Sequence, residues 1–270
     1  MIRNRVQPKP LPKVADEHHV GVFGRFEDVV NDRIARLETS TDSFDKEKAR
    51  FFRYLRDLVD PVKYGEMQEF QLSDAKLNPN SNYSKYIDPA IWFESKLAIA
   101  HRIGLHRRAP LDILDIGTGP GHFLVVAEFY GHRAVGTDLP VLTTGVLERG
   151  HLYDALSDIY QTRRIPLKIE QFQPLPRFER RYGLVTAFLA AFNVDPDKKP
   201  WSVEAWKFFM NDLQENVLTE DGVAFMSLTD GKLKPEVWEY LSAWSVRVVQ
   251  PNLPEGGKFI IFPSTRPHDF

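Results

Sequence analysis

The stretch from residue 111 to residue 130 limits the fold more than any other part of the chain. An apolar run, LDILDI at 111–116, leads into three glycines within five positions, Gly117, Gly119 and Gly121, and then into a helical pattern from Gly121 to Tyr130. A short apolar run without polar alternation fits a parallel strand covered on both faces. Glycine carries no Cβ, so a turn built from it adopts positive φ and lets a ligand approach the backbone closely.

The same alternation continues to the end of the chain. RAVGTD (133–138), PLKIEQF (166–172), YGLVTAF (182–188) and GVAFMSL (222–228) read as further strands. Between them lie helical stretches at 143–160, with a break expected at Gly150, and from Ser202 through Trp206, Phe209, Leu213 and Val217. A last helix spans Pro235 to Trp244, and SVRVV (245–249) and FIIF (259–262) close the pattern. Regular strand–helix alternation predicts an open parallel sheet with helices on both faces. The last two strands have no helix between them, so they are expected to pair as an antiparallel hairpin at one edge. The predicted fold is therefore α/β, a doubly wound, seven-stranded, mostly parallel sheet with an antiparallel C-terminal hairpin and a helical N-terminal extension.

The extension occupies residues 1–75 and the main domain residues 76–270. Residues 1–20 read as an arm. From Phe26 to about Asp60 the pattern is helical, with Phe44, Phe51, Phe52, Leu55 and Leu58 on one stripe, and Pro61 is expected to stop it. That stripe fits a helix face packed on the main domain; the sharper alternative is a lid over a substrate pocket. Residues 76–86 are loop-like, and Asp88-Pro89 supplies an N-cap and a first-turn proline for a helix that runs to Gly104.

The formal net charge of −2 leaves no basic field to hold a polyanion, which argues against nucleic acid as a partner. The chain has no cysteine, which removes disulfides, thiolate metal clusters and cysteine nucleophiles. The basic, Pro-rich start does not read as a signal peptide, and no apolar run approaches a membrane span, so a cytoplasmic protein without a membrane partner is expected.

The glycine turn departs from the dinucleotide fingerprint, because the sixth position counted from Gly117 is His122 and the third glycine comes one residue early. No lysine follows in the manner of a P-loop. The pattern acid-x-Gly-x-Gly-x-Gly, from Asp115 to Gly121, resembles motif I of class I S-adenosylmethionine (SAM)-dependent methyltransferases. The resemblance spans roughly residues 85–263. It implies a glycine turn (Gly117, Thr118, Gly119, Gly121) under the amino-acid end and ribose of SAM, with Asp115 near the methionine ammonium. It also implies that Asp138, at the end of the second strand, takes both ribose hydroxyls; a carboxylate is acceptor-only with two oxygens and suits vicinal hydroxyls. Leu139 is then expected against adenine, Gln171 or Phe172 at its edge, and Phe188 at the methionine end. Tyr86 and Trp92 are expected to close over the cofactor.

Departures from the family narrow the acceptor. Ala190-Ala191-Phe192-Asn193 stands where amine-directed members carry an Asn/Asp-Pro-Pro-aromatic signature, and Asp195 and Asp197 read as a solvated loop rather than a metal site. No residue identifies itself as a general base; His122 fits a packing or capping role. Phe192, Asn193 and Trp201 are the expected pocket wall. The resemblance thus implies methyl transfer to a small molecule, with a homodimer admitted. The alternatives are a protein or RNA methyltransferase docking through the basic segments 102–108 or 177–181, a SAM-binding domain without catalysis, and a nicotinamide-dependent oxidoreductase, which the glycine spacing disfavours.

Overall fold

The computed structural model describes residues 25–77, 86, 88–140, 147–190, 192–193, 199–229, 233–244 and 259–264. Three helices come first: α1 (Phe26–Glu38), α2 (Ser43–Leu58) and α3 (Pro61–Leu77). Phe26, Val30, Ile34 and Leu37 recur every three or four residues along α1, and all four are buried. The single helix expected over 26–60 is two helices, because the Asp42 carboxylate accepts from the backbone N–H of Phe44 and Asp45 and caps a new start. Pro61 likewise opens α3 rather than only ending α2. Asp60 accepts from the N–H of Val62 and Lys63, and proline at a first helical position lacks only a donor that has no partner there anyway.

The α/β unit begins with α4 (Pro89–Arg102), capped by Asp88 through the N–H of Ala90 at 2.8 Å. It continues through β1 (Asp112–Ile116), α5 (His122–Phe129), β2 (Arg133–Asp138), α6 (Leu147–Ile159), β3 (Arg164–Pro166) and β4 (Tyr182–Phe188). After β4 come α7 (Val203–Asp212), started by a Ser202 cap, a π-helical turn at Leu213–Val217, β5 (Leu218–Thr229), α8 (Pro235–Trp244) and β6 (Phe259–Ser264). Helix α6 runs through Gly150 without the expected break, and its expected first residues, 143–146, lie outside the described residues.

Among the described residues the sheet has six strands in the order β3-β2-β1-β4-β5-β6, and every neighbouring pair is parallel. The expected seventh strand, 245–249, lies outside them. β6 runs parallel to β5, and the expected antiparallel pairing of 245–249 with 259–262 lies outside the described residues. The connection from β5 to β6 carries α8, and a helical crossover returns the chain in the same direction. β3 is also shorter and earlier than the 166–172 expected: Pro166 cannot donate, and the ladder ends with the Leu167 N–H on the Asp138 carbonyl at 2.7 Å.

Side chains alternate between two cores. Ile113, Leu184 and Phe225 face a cluster built by α1 to α6, whereas Leu114, Val185 and Met226 face one built by α7 and α8. The aromatic stripe of α2 belongs to the first core: the fully buried Phe51 ring lies 5.1 Å from Phe93 on α4 and 5.3 Å from Phe129 on α5. The stripe is a packed helix face. The direction of strand order reverses at β1, with β2 and β3 on one side and β4 to β6 on the other, which opens a crevice at the C-terminal ends of β1 and β4.

Candidate functional site

The glycine turn sits in that crevice. Its backbone is tied to β2, with the N–H groups of Gly117 and Thr118 both donating to the Thr137 carbonyl, at 2.8 and 3.0 Å. Gly117 holds φ at +68° and Gly119 at +57°, a region that L-residues enter at a cost of about 1–2 kcal/mol. A Cβ on Gly117 would come within 2.5 Å of the Ala190 Cβ, so glycine here lets the turn meet the chain leaving β4. At Gly119 the nearest atoms to an added Cβ belong to the Tyr153 ring, 3.6 Å away, so its glycine answers to conformation rather than to crowding. Gly121 ends the turn at φ +88° and starts α5, packed on Thr162.

Two carboxylates flank the turn and differ in environment. Asp115, near the end of β1, is 2% exposed, and one of its oxygens accepts from the Thr186 hydroxyl of β4 at 2.7 Å. Burial pushes its carboxyl up to about 6, against the opposing influence of the Thr186 hydroxyl and the Lys96 ammonium. Asp138, at the end of β2, is only partly buried. One oxygen accepts from the Gly119 N–H at 2.6 Å and the other from its neighbour Leu139 at 2.8 Å, which joins the ends of β1 and β2. Each carboxylate oxygen has more than one lone pair, so these bonds leave acceptor capacity for a ligand.

Leu139 and Phe172 follow β2 and β3, and they are 41% and 53% exposed. Among the described residues only Val62 joins them as an exposed large apolar side chain. Phe172 holds a positive φ of +59° in the turn after Gln171, and its ring lies 6.1 Å from Phe208. Tyr86 stacks on Trp92 at 4.9 Å and meets the edge of Tyr153 at 5.3 Å, the same ring that borders Gly119.

The methionine side of the expected site is formed by α4 and β4. The Lys96 ammonium stands 4.2 Å from the Phe188 ring centre, and burial lowers its pKa to about 8 while Asp115 opposes that shift. Phe188 also packs on Phe123 at 4.9 Å. The next residue, Leu189, has a φ of +56° and donates its N–H to the Ser227 carbonyl, so the chain turns sharply as it leaves β4.

His122 is enclosed by Trp92, Phe93 and Tyr160, and its Nε2 has no hydrogen-bond partner among the described residues. Burial, with Lys96 nearby, pushes its pKa down to about 3, which keeps the imidazole neutral. His132 ties the approach to β1, its Nδ1 accepting from Leu111 N–H while Nε2 bonds the Leu105 carbonyl.

The structure gathers Asp115, Gly117, Thr118, Gly119, Gly121, Asp138, Leu139 and Phe188 at the ends of β1, β2 and β4, with Tyr86 joined to them through Tyr153. Phe192, Asn193 and Trp201 sit on the other face of the sheet. Trp201 is buried, Phe192 lies 5.0 Å from Phe209 and 5.7 Å from Trp201, and the Asn193 carbonyl accepts from Trp201 N–H. Sequence reasoning missed Lys96, Tyr153 and Thr186. Lys96 and Thr186 had a signal of sorts, a lone polar residue within an apolar stretch (FESKLAIA, YGLVTAF); Tyr153 had none. Asp195 and Asp197 lie outside the described residues, and no cluster suited to a metal ion occurs among the described ones.

No protein-family model matches the sequence, and no curated protein does. Among solved structures the chain is similar to the ribosomal protein L11 methylase of Lactobacillus delbrueckii subsp. bulgaricus, at 20% identity over 56% of this chain and 67% of that one, with a TM-score of 0.36. It is similar to SAM-bound CalS10, an amino pentose methyltransferase from Micromonospora echinaspora, at 18% identity over 53% of this chain and 54% of that one, with a TM-score of 0.36. A TehB-like SAM-dependent methyltransferase from Corynebacterium glutamicum matches at 14% identity over 74% of this chain and 95% of that one, with a TM-score of 0.37. The chain spans just over half the length of CalS10, and each of these likenesses concerns the fold alone.

Proposed function

We propose that the chain is a SAM-dependent methyltransferase acting on a small-molecule acceptor. The observation that carries the reading is the junction of Asp138 with Gly119. A partly open carboxylate at the end of the second parallel strand lies on a positive-φ glycine turn at the end of the first, with the exposed Leu139 next to it in the chain. That combination suits a nucleoside, whose vicinal hydroxyls need a carboxylate and whose base needs an apolar slot. The buried Asp115 distinguishes SAM from a dinucleotide, because it offers a negative charge to an ammonium rather than a cradle to a pyrophosphate.

The residues then divide the cofactor between them. Asp138 takes the ribose hydroxyls, Leu139 and Phe172 flank adenine, and Gln171 meets its edge. Gly117, Thr118, Gly119 and Gly121 keep the turn low beneath the ribose, while Asp115 takes the ammonium and Lys96 the carboxylate of the methionine end. Bound there, SAM supplies an electrophilic methyl group on a sulfonium. Phe188 excludes water next to it, Tyr86 closes the adenosine side through Tyr153, and Phe192, Asn193 and Trp201 hold the loop after β4 from behind on the acceptor side. In-line placement and desolvation account for the chemistry without a dedicated base.

The basic segments support a small acceptor over a docked macromolecule. Segments 102–108 and 177–181 stand before the first residues of β1 and β4, at the opposite end of the sheet from the turn. We further place residues 1–75 as a helical extension of a SAM-binding domain at 76–270, in a cytoplasmic protein that admits a homodimer. No helix among the described residues is long and apolar enough to cross a membrane. Thermal unfolding tests the cofactor assignment: SAM and its demethylated product should raise the midpoint and NADH should not. A rise with NADH alone would replace this reading with a dinucleotide enzyme.

A further inference from the structure

The other end of the sheet, where β1, β2 and β4 begin, holds a cavity of about 470 Å3 that shares no residue with the glycine turn. Val135, Ile165, Phe178 and Tyr182 give it an apolar floor; Val135 and Tyr182 are buried, and the Phe178 ring meets Tyr182 edge-on at 5.5 Å. Its rim carries four guanidinium groups, Arg133, Arg163, Arg177 and Arg180, against two carboxylates, Asp112 and Glu179.

The internal pairing does not consume the positive charge. Asp112 lies between Arg133 at 2.8 Å and Arg180 at 3.0 Å, and Glu179 pairs with Arg163 at 3.3 Å. Arg177 has no ion-pair partner among the described residues. The rim therefore keeps two positive charges over an apolar floor. These arginines are far apart in sequence, at 133, 163 and 177–180, and the fold brings them together by starting adjacent strands at one edge. Guanidinium groups match phosphate oxygens in pairs, and the volume falls in the range of small-molecule sites.

We propose that this cavity binds a small organic phosphate, with an aromatic body on the floor and its phosphate on Arg177 and Arg163. The site is separate from the glycine turn and does not depend on what that turn binds. A concave site with a closed apolar floor favours such a ligand over an extended polyanion, which needs a stripe of charge.

The test is a titration of phenyl phosphate followed by ligand-observed NMR, with inorganic phosphate and phenol as separate probes. Phenyl phosphate should bind at least tenfold more tightly than either fragment. Arg177→Gln should weaken it roughly tenfold, as expected for loss of a charge-assisted hydrogen bond. Glu179→Gln, which releases Arg163, should tighten it several-fold, and a variant that tightens binding cannot be a folding defect. Absence of binding, affinity indifferent to Arg177, or displacement by S-adenosylhomocysteine would overturn the proposal. Preference for a single-stranded oligonucleotide in an Arg177-dependent manner would overturn it in favour of a nucleic-acid face.

Discussion

Replacing Gly117 by alanine tests how tightly the glycine turn is held against the end of β4. Two costs add. Alanine at a φ of +68° loses about 1–2 kcal/mol to backbone conformation. Its Cβ would also arrive 2.5 Å from the Ala190 Cβ, and neither is the end of a flexible side chain, so backbone must move at the usual overpacking cost of about 1–3 kcal/mol. Gly117→Ala should thus lose roughly 2–5 kcal/mol, a large part of a typical folding free energy of about 5–15 kcal/mol. Ala190→Gly removes the obstructing atom, and the next nearest, the Ala190 Cα, stands at an ordinary 3.5 Å. In that background Gly117→Ala should cost only the conformational part, which leaves a coupling of about 1–3 kcal/mol between the two sites. Urea unfolding of the four proteins, followed by tryptophan fluorescence and far-UV circular dichroism, measures it. Strictly additive losses would refute the contact between the turn and the chain leaving β4.

Gly119→Ala has room beside Tyr153 and should cost only about 1–2 kcal/mol of stability, yet its methyl group stands where the cofactor must approach, so SAM binding should fall at least tenfold by calorimetry; a variant that binds SAM normally would remove Gly119 from the cradle. Because the folded-state pKa of Asp115 is raised to about 6 from 3.8, its contribution to stability is complete below about pH 4 and is lost as pH rises through 6, on the order of 3 kcal/mol. SAM affinity should change in the opposite sense, rising through the same interval as the carboxylate ionises, and Asp115→Asn should flatten both profiles; a wild-type affinity constant from pH 5 to 7.5 would contradict the ammonium contact. Phe51→Ala removes a fully buried ring wedged against α4 and α5, and should lower the whole unfolding transition by about 3–5 kcal/mol; loss confined to the first three helices would instead mark them as an independently moving lid.

The part of the site most legible in the sequence is the part written in residues with special backbones or caps. Gly117, Gly119 and Gly121 declared a positive-φ turn, and Asp88 and Ser202 declared helix starts, because each residue type acts locally and the structure uses each that way. Asp42 and Pro61 carried signals of the same kind, but a proline that starts a helix and one that ends it look alike from one side. The parallel setting of β6 depends on the crossover through α8, which pairing rules applied to residues 245–262 do not reveal. Lys96 and Tyr153 reach the turn through packing between elements more than twenty residues away in the chain. Neighbours brought together at such distances leave no spacing to read. The same limit hides the aromatic cluster that Phe192 and Trp201, after β4, form with Trp206 and Phe209.

The most direct test of the account is a calorimetric titration of SAM into the wild type and into Asp138→Asn. Asparagine keeps the shape and one acceptor oxygen beside the Gly119 N–H, but gives up the charge and the second acceptor. Loss of such a hydrogen bond to a charged group costs about 1.5–3 kcal/mol, so micromolar binding by the wild type should weaken tenfold or more in the variant. No binding of SAM to the wild type, or equal affinity in the two proteins, would contradict the assignment of this turn to a SAM nucleoside.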